Sequence, residues 1–132
     1  MIVLDASAVV ELLLSTAAGR QIALRIANPD IALHVPHLVD VEVAQALRRC
    51  ETSGDIDADE AAQAVATLRD LPLERHRHDD LLDRVWALRR NLTAYDAVYV
   101  ALAEALGAVL LTCDRKLARA PGLAARVELV SA

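Results

Sequence analysis

Residues 93–114 read TAYDAVYVALAEALGAVLLTCD, and this stretch decides the fold class. Thr93 begins an apolar segment of helical length, and Gly107 follows its last turn, where glycine commonly ends a helix. Residues 108–112 then lack any alternation of polar and apolar side chains, which is typical of a strand buried on both faces of a parallel sheet. The stretch therefore predicts a helix that leads directly into a buried parallel strand.

The rest of the chain alternates between the same two kinds of segment. Short apolar runs predict strands at 2–4, 31–35, 108–112 and 127–130, with a short edge strand at 71–73. Segments with helical periodicity or helix-capping residues predict helices at 6–14, 19–27, 37–50, 58–71, 79–90, 93–106 and 115–119. Strands that alternate with helices predict an α/β fold, a three-layer sandwich whose parallel sheet has about five strands and is covered on both faces.

Length and composition place the chain among globular proteins. Its 132 residues are enough for one domain, which we expect to span residues 1–132. A hydrophobic fraction of 55% excludes a disordered chain, and no apolar run reaches the roughly 18 residues of a membrane span. No basic segment precedes Asp5, so we expect no secretory signal peptide. Cys50 and Cys113 are too few for a disulfide framework and predict buried thiols of a reducing compartment, the cytoplasm.

The net charge of −5 argues at first against a nucleic-acid partner, because proteins of that kind usually present a basic surface. The argument weakens if some of the acidic residues bind metal, since two divalent cations would raise the formal charge from −5 to −1. All basic residues except Lys116 are arginines, whose guanidinium groups suit phosphate contacts, although a coding bias toward arginine explains the same composition.

Four acidic residues fall where the predicted fold brings chain segments together. Asp5 directly follows the first strand, and Asp114 follows the strand at 108–112. Asp96 lies in the first turn of the helix that leads into that second strand, and Glu42 borders the apolar stripe of another helix. The carboxyl ends of neighbouring parallel strands meet at one edge of a sheet, where ligands bind. Four carboxylates close together repel one another, so the grouping predicts bound cations or raised pKa values.

Each of the four acids also has a purely structural interpretation. Asp5 and Asp114 can cap the helices that follow them, and Asp96 can complete a capping box with Thr93. Glu42 can be a solvated residue at the rim of its helix stripe. Taken singly, these interpretations outweigh a role as a metal ligand. A metal site is favoured because the predicted fold brings all four side chains toward the same edge of the sheet.

Other catalytic patterns are absent from the sequence. The chain carries no glycine-rich phosphate loop, no Gly-x-Ser-x-Gly nucleophile motif and no paired cysteine and histidine nucleophile. With only Trp86, Tyr95 and Tyr99 as aromatic residues, it offers no platform for stacking single-stranded bases. The two tyrosines are four residues apart on a helix, and we expect both to pack in the core.

The four histidines lie in two groups. His34 and His37 flank a proline, and His76 and His78 lie two residues apart. Neither group has a cysteine at the spacing of zinc ligands, so we interpret these side chains as surface histidines.

The segments around the four acids resemble PIN-domain proteins, and more narrowly the VapC toxins of bacterial toxin–antitoxin pairs. The resemblance rests on IVLDASA at 2–8, VDVEVA at 39–44, LTAYDAVYVALAE at 92–104 and LLTCD at 110–114. It covers essentially the whole chain, and its last two segments are the most specific. Four acids in this order and at these separations carry more weight than any single motif.

The resemblance implies a sheet with strand order 3-2-1-4-5 and a metal-dependent endoribonuclease with these acidic site residues: Asp5, Glu42, Asp96 and Asp114. Carboxylate ligands predict Mg²⁺ as the cofactor, with Mn²⁺ as a substitute. The resemblance further implies an RNA substrate, a homodimer and a cognate VapB-type antitoxin whose tail enters the active-site groove. Many members of the family carry another acid shortly after the position of Asp114, whereas Arg115 and Lys116 follow here. This departure bears on whether a second metal ion is held.

Residues beside the acids have predicted supporting roles. Ser7 and Thr112 are candidates to orient the metal ligands from the surrounding layer of hydrogen bonds. Arg115 and Lys116 are candidates to bind the RNA backbone beside the scissile phosphate.

Two other functions compete with the ribonuclease. A receiver-like signalling module also places acids around Mg²⁺ at strand ends, but it normally has an adjacent acidic pair after the first strand. Here Leu4 and Ala6 flank Asp5, and Lys116 follows Asp114 too closely for that kind of site. A non-catalytic interaction domain would use all four acids as helix caps and would bind no cation.

Overall fold

The computed structural model describes residues 1–131 as a five-stranded parallel sheet flanked by helices. The strands are β1 (Ile2–Leu4), β2 (Leu33–Pro36), β3 (Leu73–His76), β4 (Val109–Thr112) and β5 (Val127–Leu129). They are arranged in the order β3-β2-β1-β4-β5, and every neighbouring pair is parallel. The structure therefore confirms the predicted α/β fold and the strand order 3-2-1-4-5.

The helices are α1 (Ala6–Leu13), α2 (Ala17–Arg25), α3 (Leu38–Thr52), α4 (Ala58–Asp70), α5 (Leu82–Ala87), α6 (Ala94–Leu106) and α7 (Arg115–Arg119). A 3₁₀ turn at Asp79–Leu81 leads into α5. Within residues 1–131, no helix combines the length and the apolar character that crossing a bilayer requires.

Helix α6 is the most deeply buried helix of the structure. Its residues 97–103 are all buried, because alanines and branched apolar side chains surround the whole helix axis. The Thr93 hydroxyl accepts a hydrogen bond from the Asp96 N–H at 3.1 Å and so caps the first turn. Gly107 ends the helix with φ 63°, a left-handed conformation that favours glycine. The predicted start and end of this helix are both confirmed.

The central strand β1 sets the position of the first acid. Leu4 pairs with Leu111 of β4, and the Asp5 N–H donates a hydrogen bond to the Leu111 carbonyl at 3.2 Å. Residues 5 and 112 therefore leave the sheet at the same edge. The parallel register, fixed by the buried apolar faces of both strands, brings their carboxyl ends together.

Strand β3 lies later in the chain than predicted, at Leu73–His76 instead of 71–73. It is an edge strand, so polar side chains are tolerated along it. The Arg75 guanidinium forms a bidentate ion pair with the Asp40 carboxylate, at 2.8 and 2.9 Å, and also donates a hydrogen bond to the Leu68 carbonyl. An edge strand secured by polar contacts has no apolar pattern to reveal it.

The predicted helix at 79–90 is also corrected. The sequence predicts one amphipathic helix with residues 82, 85, 86 and 89 on a common face, whereas the structure has a 3₁₀ turn followed by the short helix α5, and only Val85 of the four is buried. Val85 and Leu88 are buried, whereas Trp86 is 67% exposed and stacks against the Arg89 guanidinium at 4.6 Å. The 3₁₀ turn changes the helical phase at the start of the segment, so the periodicity read from the sequence selected the wrong face.

Candidate metal centre

A cleft of about 330 Å³ opens beyond the carboxyl end of β1. It is lined by all four of the acids that the sequence analysis grouped, namely Asp5, Glu42, Asp96 and Asp114. They come from four separate segments: the residue after β1, the second turn of α3, the first turn of α6 and the residue before α7. Their roles as catalytic residues and metal ligands stay a prediction that rests on this geometry.

Asp5 is held in place by three hydrogen bonds. It is 4% exposed, and its Oδ1 accepts from the Ser7 hydroxyl at 2.6 Å and from the Ala8 N–H at 2.9 Å. Its Oδ2 accepts from the Thr112 hydroxyl. Burial raises the pKa of Asp5, and these hydrogen bonds oppose that rise. Because a carboxylate offers about four lone-pair positions, roughly one remains on Oδ2 for a ligand.

Ser7 and Thr112 join the ends of β1 and β4. While each hydroxyl donates to Asp5, Ser7 Oγ accepts from the Cys113 N–H at 3.0 Å and Thr112 Oγ1 accepts from the Asp114 N–H at 2.9 Å. Both hydroxyl groups are therefore oriented, and they fix the Asp5 carboxylate relative to the backbone that carries Asp114. The two residues touch the predicted metal ligands, in the position that the sequence analysis gave them.

Asp96 and Asp114 both lie at the start of a helix. Asp114 caps α7, with its Oδ1 accepting from the Lys116 N–H at 2.8 Å, and Asp96 is the third residue of α6. Burial and the negative charge of Asp114 raise the pKa of Asp96. The capping interpretation is correct for Asp5 and Asp114, but it does not compete with metal binding. A cap uses one oxygen of the carboxylate, and the other oxygen keeps at least one lone pair for a ligand.

Glu42 is held by a buried tyrosine. The Tyr99 hydroxyl donates a hydrogen bond of 2.6 Å to Glu42 Oε1, and Tyr99 is 1% exposed. Burial raises the pKa of Glu42, the Tyr99 hydrogen bond opposes that rise, and the charges of Asp96 and Asp5 add to it. The expected core position is thus correct for Tyr99 and wrong for Tyr95, which is exposed. Within residues 1–131, Glu42 Oε2 accepts no hydrogen bond, so this oxygen is available to a ligand in the cleft.

The donor set fits a hard divalent cation. Asp5, Glu42 and Asp96 each have a raised pKa from burial, and neighbouring carboxylates add to each rise, so a cation among them would relieve the repulsion. Across residues 1–131, no three of the four acids bring one oxygen each to within 4.8 Å of one another. Mg²⁺ is typically held by one or two carboxylates with water completing its octahedron, which matches this spacing.

Arg49 also lines the cleft, and the sequence analysis did not single it out. It lies seven residues after Glu42 in α3, which places the two side chains about two turns apart on the same helix face. That spacing was the signal available in the sequence. In the part of the chain that the structure describes, Arg115 and Lys116 are exposed in the first turn of α7 and do not line the cleft. Their contact with RNA stays a prediction.

The prediction of surface histidines is wrong for one member of the set. His34 is the second residue of β2 and is 6% exposed, because β2 lies inside the sheet between β1 and β3 and the side chains of β3 pack beside it. It lies beside Glu74 and His76 of β3. His37 is exposed as predicted. Because β3 was predicted at 71–73 and lies at Leu73–His76, its contacts with His34 were not predicted from the sequence.

Both cysteines are free and half-buried, which is less burial than predicted. Burial raises the pKa of the Cys113 thiol to about 11, so this side chain is protonated at neutral pH. Although its N–H contacts Ser7, the Cys113 thiol is no candidate for a nucleophile in the cleft.

Comparison with known proteins identifies the family. The profile of the PIN domain matches residues 2–123. The chain is 44% identical over 129 residues to ribonuclease VapC1 of Mycobacterium tuberculosis, covering 97% of this chain and 96% of that protein. It is 42% identical over 131 residues to ribonuclease VapC12 of the same species, covering 99% and 100%. The chain also superposes on a chain from the crystal structure of Rickettsia felis VapBC2 bound to a promoter DNA fragment, with a TM-score of 0.70, 17% identity and coverage of 99% and 100%.

The chain belongs to the PIN-domain family, among the VapC ribonucleases. The matches confirm the family, the fold class and the endoribonuclease class that the sequence resemblance implied. They give no support to a receiver-like module or a non-catalytic interaction domain.

Proposed function

We propose that this VapC-type chain is a Mg²⁺-dependent endoribonuclease toxin that hydrolyses RNA phosphodiester bonds in the acidic cleft. The observation that carries the proposal is the meeting of Asp5, Glu42, Asp96 and Asp114, from four separate segments, in one open cleft. A structural use as helix caps would not require these segments to converge. Burial and neighbouring carboxylates raise the pKa values of three of the acids, and a bound cation would offset both effects.

The acids divide by the contacts that each already makes. Asp5 is the most rigidly held, so we assign it with Asp114 as the most direct metal ligands. Asp96 and Glu42 bind directly or through water, and the wide spacing of the acids favours water for part of the set. When bound, Mg²⁺ or its substitute Mn²⁺ supplies positive charge at the scissile phosphate and makes water more acidic.

Glu42 is the acid best placed to act on a water molecule. Its Oε1 accepts the hydrogen bond from the Tyr99 hydroxyl, which leaves Oε2 for the cleft that Glu42 lines with the other three acids. A carboxylate with a raised pKa accepts a proton more readily than one in bulk water. Glu42 Oε2 is therefore the atom that orients the attacking water and receives its proton, with Tyr99 fixing the carboxylate for that role.

Arg49 is the cleft residue that best fits the substrate phosphate. Its guanidinium is permanently charged and can bind two phosphate oxygens at once. Its position beside Glu42 on the cleft wall brings a positive charge next to the acids, and this charge lowers the pKa of Glu42, against the larger effect of burial. Arg115 and Lys116, exposed beside Asp114, bind the RNA backbone that flanks the scissile bond.

The proposed partners follow from the family and the charge of the cleft. A VapB-type antitoxin binds this chain and blocks the cleft with a basic side chain, since an Arg or Lys would neutralise the acids in place of the cation. The toxin is a homodimer of single-domain chains, 1–132, that acts in the cytoplasm. The two free cysteines suit that reducing compartment.

RNA cleavage by variants of the acids tests this function. Asp5→Asn and Asp96→Asn remove one charge each while keeping side-chain size. We expect each to lower Mg²⁺-dependent cleavage of a susceptible RNA by at least about 100-fold, while circular dichroism shows the wild-type fold. The matched control is Asp30→Asn, an exposed aspartate outside the cleft, which should cleave normally. Cleavage at the wild-type rate by either cleft variant would overturn the assignment.

A further inference from the structure

A second group of metal-ligand side chains lies on strands β2 and β3. His34 of β2 pairs with Glu74 of β3, and His76 lies two residues further along β3. Residues two apart on a strand share a face, so the register puts all three side chains on one side of the sheet. His34 Nδ1 lies 2.8 Å from His76 Nε2 and 3.1 Å from Glu74 Oε2. None of the three lines the acidic cleft described above.

These distances are close to those of a zinc site. With Zn–N and Zn–O bonds of about 2.0–2.1 Å, tetrahedral ligand atoms are separated by about 3.3 Å. The observed pairs need to open by only a few tenths of an ångström, and one atom from each side chain already lies within 4.8 Å of the others. Two histidines and one glutamate with a fourth position open to water form a known type of zinc ligand set.

Hydrogen bonding alone leaves this cluster poorly satisfied. A neutral His34 Nδ1 has either one hydrogen or one lone pair, yet both His76 Nε2 and Glu74 Oε2 lie within hydrogen-bond distance of it. A cation between the three ligand atoms would satisfy all of them together.

We propose that His34, Glu74 and His76 form a binding site for a transition-metal dication of the Zn²⁺ type, separate from the acidic cleft. Imidazole nitrogens select Zn²⁺, Co²⁺ or Ni²⁺ over Mg²⁺, whereas the carboxylates of the cleft select the harder ion. Glu74 is exposed, so the site is open to solvent on that side. The bound ion would add a cross-link between the edge strand β3 and β2, in addition to the parallel ladder that already pairs the two strands.

Cobalt binding tests the site with a signal that does not depend on RNA cleavage. The protein is the full chain, freed of any histidine tag, with the cleft disabled by Asp5→Asn and Asp96→Asn. We expect one Co²⁺ per chain, with the visible absorption of tetrahedral coordination, displaced by Zn²⁺. His76→Gln and Glu74→Gln should each weaken Co²⁺ binding by about tenfold or more. Both are partly or largely exposed positions, so these variants should fold. His37→Gln, an exposed histidine outside the cluster, is the matched control.

Two results would overturn the site. One is the absence of stoichiometric Co²⁺ binding in the cleft-disabled chain, and the other is binding that His76→Gln and Glu74→Gln leave as strong as in His37→Gln. If the cleft-disabled chain does not fold, the same titrations are run on the otherwise wild-type chain with the cleft saturated by Mg²⁺. Because the readout is metal binding on β2 and β3, the result is independent of the proposed ribonuclease function.

Discussion

The Thr112 hydroxyl group makes two hydrogen bonds at the candidate metal centre, one as donor and one as acceptor. It donates to Asp5 and accepts from the Asp114 N–H, so it links the two acids assigned as the most direct ligands. Threonine is also fully buried here, where an unsatisfied partner is costly. Residues in this supporting position usually decide how well a metal site is preorganised.

Replacing Thr112 by valine tests that link. Valine keeps the shape but leaves Asp5 Oδ2 and the Asp114 N–H without their shared partner. We expect the variant to lose about 1–3 kcal/mol of unfolding free energy in urea and to bind Mn²⁺ about 10–100-fold more weakly. Thr112→Ser, which keeps the hydroxyl, should recover most of the Mn²⁺ affinity. Wild-type Mn²⁺ binding by the valine variant would show that the hydroxyl does not position the ligands.

Single residues also mark the limit of what the sequence predicts about the site. Asp5 and Asp114 were predictable because they come one and two residues after the ends of buried strands, and strand ends share an edge of the sheet. Arg49 was not, because the position of a charged residue on a helix face gains meaning only when the opposite wall of the cleft is known. His34 was misjudged because a histidine in an apolar run looks the same whether its partner strand supplies ligands or solvent.

At the scale of elements, the contact between α1 and α2 depends on one glycine. A Cβ added at Gly19 would lie 1.9 Å from the Glu11 carbonyl oxygen, well inside van der Waals contact. The obstacle is backbone, which cannot rotate away as a side chain can. The first turn of α2, capped by Thr16, is therefore packed directly against the end of α1.

Gly19→Ala should consequently force the two helices apart. We expect a loss of about 3 kcal/mol in unfolding free energy, since the strain falls on the backbone contact between α2 and α1. Gln21→Ala, at an exposed position of the same helix, should change stability little. Chemical denaturation followed by circular dichroism measures both. A Gly19→Ala protein as stable as wild type would mean that the helices shift apart at no cost.

The elements that the sequence predicted well are the buried ones. Strands β1 and β4 and helix α6 have apolar patterns that only a covered position explains, and their predicted bounds are within a residue or two of the structure. Strand β3 and helix α5 lie at the periphery, where ion pairs and a 3₁₀ turn replace apolar packing. Hydrophobic periodicity indicates which residues are buried, so it does not predict an element that polar contacts hold in place.

At the scale of the whole molecule, the fold concentrates negative charge at one sheet edge in a chain of net charge −5. Without a cation, repulsion among these carboxylates lowers the free energy of unfolding, and packing of the core has to offset it. Burial and neighbouring charges raise the pKa values of Asp5, Glu42 and Asp96 above their ordinary values. An acid whose pKa is higher in the folded state stabilises the fold while protonated, and that contribution is lost as pH rises through the raised pKa.

The raised pKa of Asp96 in the folded state determines how the stability of the protein changes with pH. In the absence of divalent cations, Asp96 costs stability once pH exceeds its raised pKa, whereas asparagine at the same position does not. Asp96→Asn should therefore become more stable relative to wild type as pH rises from about 4 to neutrality. Because Asp96 is half-buried and water screens it, we expect the difference to be about 1 kcal/mol. Comparing the two proteins cancels the opposite contribution of ion-paired acids such as Glu104.

The unfolding free energy of wild type and Asp96→Asn at neutral pH, with and without Mg²⁺, is the most direct test of the metal centre. The account predicts a reversal: the variant is the more stable protein without the ion, and the wild type is the more stable protein with it. At 100 times its dissociation constant, the ion should stabilise the wild type by about 2.7 kcal/mol and the variant by much less. Equal stabilisation of both proteins by Mg²⁺, or none of either, would contradict a cation site among the four acids.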